Sequence, residues 1–74
     1  MGLANKLRLI KIAREVGMSD NDILREVLAG EYGSERRRRL VVEWGELLGL
    51  KASEALRLAH ASGLLPSANP PRGA

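Results

Sequence analysis

The sequence predicts an all-α fold, with four short helices in two helix-hairpin units closed into a compact bundle. Three observations predict it. First, one pattern occurs twice. Residues 9–28 moved forward by 32 fall on residues 41–60, so that Val16-Gly17-Met18 meets Leu48-Gly49-Leu50, Asp22 meets Glu54, and Ile23-Leu24-Arg25 meets Ala55-Leu56-Arg57. Each copy reads as an amphipathic run, a small-residue stop, one apolar residue, a polar start and a second amphipathic run, which is a helix hairpin written twice. Second, 45% of the 74 residues are apolar but only 3% are aromatic, namely Tyr32 and Trp44. A core of Leu, Ile, Val and Ala suits packed helices better than paired sheets. Third, apolar residues recur at the three- and four-residue spacing of a helix in four separate runs.

The first helix is expected over about residues 3–16. Leu3, Leu7, Leu9, Ile10, Ile12, Ala13 and Val16 cover a wide apolar arc, and Arg8, Lys11, Arg14 and Glu15 take most of the remainder. So wide an arc implies contact with two neighbours or with a partner chain. Gly17 is placed to end the helix as a left-handed residue. Ser19 then caps a second helix over about 20–29, with Asp20 and Asp22 at its positive N-terminus and Ile23, Leu24, Val27 and Leu28 on one face. Gly30 and Gly33 bracket a turn around Tyr32, and Ser34 is the expected cap of a third helix over about 35–48. Its apolar face is Leu40, Val41, Trp44, Leu47 and Leu48, which makes Trp44 a core residue, and Gly49 ends it. The fourth helix is expected over about 52–62. Ala52, Ala55, Leu56 and Ala59 align there, and small side chains allow close approach of another helix. The domain is therefore 1–65, with hairpins at about 3–30 and 34–63. Residues 66–74, rich in proline and without apolar period, are expected to be a disordered tail.

Composition excludes several classes of function. There is no cysteine, hence no disulfide or thiolate metal site, and His60 is the only histidine, so no metal site is expected. No acid/base or nucleophile constellation exists, and neither an enzyme nor a cofactor is expected. No apolar run approaches the roughly 18 residues of a membrane span, and Lys6, Arg8 and Lys11 interrupt any signal-peptide core. Position 6, where a myristoylation motif places Ser or Thr, is lysine. The expected location is the cytoplasm. Net charge is +3, with basic stretches over 1–18 and 36–51 and an acidic one between them. This permits nucleic-acid binding. A domain this small, with so few aromatic residues, is expected to gain burial by forming a homodimer.

Residues 9–28 resemble the twenty-residue core of helix-turn-helix DNA-binding proteins. Ile12 and Val16 stand at its fourth and eighth places, Ala13 at the small fifth, Gly17 at the ninth, and Met18 and Ile23 at the apolar tenth and fifteenth. The eighteenth place, usually apolar, is Glu26, and Asp20 and Asp22 would turn carboxylates toward phosphates. The second unit, residues 41–60, keeps the hairpin with Gly45 and Gly49 and is better suited to DNA contact. Its last helix offers Lys51, Ser53, Arg57 and His60 with only Glu54 against them. The implied function is that of a small DNA-binding regulator or accessory factor, with Lys51, Ser53 and Arg57 at the groove.

Phosphate contacts are expected from Arg37 and Arg38 of the run Arg36–Arg39, since these two lack a carboxylate at helical spacing, whereas Arg39 has Glu35 and Glu43 four residues away on either side. The stripe Arg8, Lys11 and Arg14 would add further contacts. The alternative function is that of a protein-binding adaptor or antitoxin-like module using apolar helix faces. Val16-Gly17-Met18-Ser19 followed by Ile23-Leu24-Arg25 loosely resembles the first loop and second helix of ubiquitin-associated-type domains, whose loop is an apolar patch for protein partners. On that reading Met18, Leu3 and Leu7 are the contact residues.

Overall fold

The computed structural model describes residues 2–66, so the expected tail lies outside the described residues except for Pro66. The chain forms four helices: α1 (Leu3–Glu15), α2 (Asp20–Leu28), α3 (Ser34–Leu47) and α4 (Ala52–Ala61). No described residue lies in a strand. The all-α bundle is as expected, and every helix ends one residue earlier than the sequence suggests, with Val16, Ala29, Leu48 and Ser62 as the C-caps.

Local chemistry accounts for most of the ends. Ser19 accepts from the Asp22 N–H at 3.1 Å while the Asp22 carboxylate accepts from the Ser19 N–H at 3.3 Å, a reciprocal cap at the start of α2. At the corresponding place in the second hairpin, Glu54 accepts from the Lys51 N–H at 2.8 Å. Lysine has no acceptor, so only half of that device exists there. Ser34 does not cap α3. Gly33 takes that position with φ 93, and Ser34 is the first helical residue. A backbone in this region is open to glycine and strained for serine, so the helix starts one residue sooner.

Both hairpin corners close in the same way. The N–H of Met18 reaches the Ala13 carbonyl and that of Gly17 the Arg14 carbonyl; Leu50 and Gly49 repeat this on Gly45 and Glu46. These are paired bonds of a helix end with a left-handed glycine, Gly17 and Gly49 both having φ 89. Leu64 and Gly63 do the same on Ala59 and His60, so α4 ends by turning Leu64 and Leu65 back into the core. A glycine followed by an apolar residue thus occurs three times, although the repeat contains only two.

The core comprises Ile10, Ile23, Leu24, Leu28, Val41, Trp44, Leu48, Ala55, Ala59, Leu64 and Leu65. It lies among α2, α3 and α4; α3 packs most extensively on α4, then α2 on α3. The α3–α4 approach is so close that a Cβ on Gly45 would sit 2.4 Å from the Ala55 Cβ. The first hairpin has no such contact. Of α1, only Ile10 is buried, with Ala13 packed at the core's edge. The two sequence repeats therefore form one tight hairpin and one open one.

Candidate functional site

Two surfaces stand out: the uncovered side of α1 and the polar side of α4. On α1 and its C-cap, Leu3, Leu7, Leu9, Ile12 and Val16 are between 46% and 71% exposed. At about 100° per residue they form two strips flanking the inward line of Lys6, Ile10 and Ala13. Leu3 and Leu7 lie on one side; Leu9, Ile12 and Val16 lie on the other. Leu9 also lines a groove of about 610 Å³ with Val27, Leu40 and Trp44, rimmed by charged side chains of α1, α2 and α3. Met18, expected as an exposed contact, is half-buried against the core. It follows the Gly17 turn, whose bonds direct it inward. Ile12 and Val16, which the helix-turn-helix pattern places between two helices, face outward.

The expected phosphate contacts do not form one patch. Arg37 is half-buried and works inside the fold. Its guanidinium donates to the carbonyls of Leu28 at 3.1 Å, Glu31 at 2.8 Å and Leu64 at 2.9 and 3.2 Å. It thereby satisfies the end of α2 and the turn after α4. The expectation that Arg37 is a free cation is corrected: it lacks a carboxylate partner but has carbonyl partners distant in sequence. Arg14 is likewise engaged, with Nη1 3.1 Å from Asp20 and Nη2 donating to the Leu48 carbonyl at 3.2 Å. It ties the two hairpin corners side by side at one end of the bundle, while Arg37 ties the other end. Arg36 pairs with Glu31, and Lys6 pairs with Glu43 with its Nζ 5.8 Å from the Trp44 ring centre. Glu43 is thus taken by α1, and Arg39 makes no ion pair among the described residues. Arg38 and Arg39 lie along a shallow groove with Glu35, Glu43 and Glu46, a surface of mixed sign.

The Glu31 carboxyl is held below its ordinary value, first by the hydrogen bond from Arg36 and then by that residue's charge; Arg36 is raised in return. The pair is exposed, so it marks an ordered turn rather than a reactive centre.

On α4, Ala55 and Ala59 face the core and Arg57 points the opposite way, flanked by Ser53 and His60. Arg8, Lys11, Arg38, Lys51 and Arg57 are exposed and make no ion pair among the described residues. Lys51 and Ser53 stand at the corner end of α4, Lys51 as its N-cap and both exposed. No cluster of metal-ligating side chains occurs among the described residues, and no helix there is long and apolar enough to cross a membrane.

No protein-family model matches this chain, and no curated protein or solved structure is measurably similar to it.

Proposed function

We propose that this protein is a helix-mediated protein-association module and that α1 supplies the contact surface. One observation carries the reading: five large apolar side chains on α1 and its C-cap, Leu3, Leu7, Leu9, Ile12 and Val16, stay exposed although the chain folds a complete core without them. Scattered exposed apolar residues are ordinary, but two strips of them concentrated on one short element mark an interaction surface. The loss of Arg37 and Arg14 to internal bonds, and the carboxylates around Arg38, weigh in the same direction. A photo-crosslinking side chain at position 12, in cells that make the protein, tests this. The expected product is a discrete protein adduct. Absence of any adduct there, with capture of DNA from position 57, would transfer the function to α4.

DNA binding by the second hairpin is the other reading. The observation favouring it is the outward line Ser53, Arg57 and His60 on a helix fixed by the tight Gly45–Ala55 contact. A rigid helix carrying a free arginine is suited to a groove. Titration of duplex DNA across a salt series tests it. Arg57→Ala should reduce preference among sequences, and Arg38→Ala should flatten the salt slope by about one unit. No affinity tighter than roughly 100 µM at physiological salt, the weak end of non-specific binding, would end this reading.

A further inference from the structure

We infer that the partner of α1 is α1 of a second copy, packed antiparallel about a two-fold axis between Leu9 and Ile12. This rests on the reading of α1 as an association surface and names its occupant.

The spacing of the outer strip is the first ground. Asn5, Leu9, Ile12 and Val16 are separated by four, three and four residues, the repeat with which two helices mesh along a seam. Leu9, Ile12 and Val16 are exposed, so the seam is open in the single chain. In the antiparallel register Leu9 meets the partner's Ile12 and Val16 meets the partner's Asn5, each twice by symmetry.

Charge is the second ground. Lys6 and Ala13 line one flank of the seam and are turned toward the chain's own core, where Lys6 is committed to Glu43. The other flank carries Arg8 near the start of the helix and Glu15 at its end, both exposed and neither in an ion pair among the described residues. Reversing the second helix brings Arg8 of each copy beside the partner's Glu15. A parallel copy would bring Arg8 beside the partner's Ala13, with no charge to meet. The strip is thus complementary to itself in one orientation only.

The contact is short. A helix of 13 residues offers less than the roughly 1,200 Å² of a stable interface, so the association is expected to be weak and reversible.

Sedimentation equilibrium of the full chain at low salt, from a few to several hundred micromolar, tests the inference. The expected result is a monomer–dimer equilibrium that Ile12→Lys abolishes. Arg8→Glu and Glu15→Arg should each weaken it about five- to tenfold, and the double variant should return to within about twofold of the parent. The positions are two helical turns apart, so rescue within one helix is excluded. All three side chains are exposed, and circular dichroism should report unchanged helix content; the charge exchange stands alone if Ile12→Lys does not fold. A dimer that Ile12→Lys leaves intact, or a double variant as weak as the singles, overturns the antiparallel seam. A monomer throughout also overturns it. In that case an adduct at position 12 with a different protein preserves the association reading, whereas no adduct removes both.

Discussion

At Gly45 a single missing methyl sets the distance between two helices. Alanine in a helix interior ordinarily stabilises by about 1 kcal/mol over glycine. Here the added Cβ would lie 2.4 Å from that of Ala55, and the neighbour is the root of a side chain that cannot swing away. Gly45→Ala is therefore expected to destabilise by on the order of 1–3 kcal/mol, read as a lower midpoint in urea, and Ala55→Gly in the same chain should restore part of it. Arg37 and Arg38 form a second contrast. They are adjacent and chemically identical, yet one ties the end of α2 to the turn after α4 from within and the other faces solvent. Arg37→Ala strands the carbonyls of Glu31 and Leu64, while that of Leu28 keeps the Glu31 N–H, and should cost on the order of 2–3 kcal/mol, whereas Arg38→Ala should stay within about 0.5 kcal/mol. Equal effects in denaturant titration would remove Arg37 from its structural role. Glu31 offers a pH test. Its lowered folded-state value stabilises the fold above the unfolded value, and the contribution fades as pH falls through the folded value. Arg36→Ala should return the Glu31 titration, followed by carboxyl chemical shift, toward its ordinary range.

The two hairpins share a sequence pattern but differ as elements. In α3–α4 the Gly45–Ala55 approach and the return of Leu64 and Leu65 give a closed unit. In α1–α2 the corner is formed equally well, by the same bonds around Gly17, but α1 adds only Ile10 to the buried set. Local opening follows buried contact, so α1 amides should exchange with solvent at a lower free energy than those of α2, α3 and α4 in dilute protein. Uniform protection of all four helices at low concentration would show that α1 is held by more than the contacts seen here. The corner itself should matter in both hairpins alike. Gly17→Ala and Gly49→Ala each place a Cβ on a residue with φ 89 and should each cost about 1–2 kcal/mol.

For the whole molecule, the proposed dimer through α1 would couple stability to concentration. A dimer that forms only from folded chains stabilises them by mass action. Raising the protein from about 5 to 500 µM should raise the thermal midpoint of the parent chain and leave that of Ile12→Lys unchanged. A midpoint independent of concentration in both would agree with a monomer.

Four helices, two glycine corners, the Ser19 cap and the core position of Trp44 were legible in the chain. They depend on spacing and on neighbours a few residues away, which a linear sequence displays. The start of α3 lies one residue before the place its capping chemistry indicates, because the positive φ of Gly33 outweighs the capping chemistry of Ser34. Leu64 and Leu65 could have been assigned to the core from the glycine-apolar step that the two corners already showed. The roles of the arginines were not legible. Arg37 finds Leu64 across 27 positions and Arg14 finds Leu48 across 34, and no local rule reports which carbonyls three-dimensional packing will leave within reach. The wide apolar arc of α1 was readable as an excess, but only the tertiary structure decided which part of it the chain covers itself. That division is set by shape: α2, α3 and α4 close the core around small side chains at Gly45, Ala55 and Ala59, and the bundle they make buries one residue of α1 and leaves its other large apolar side chains exposed.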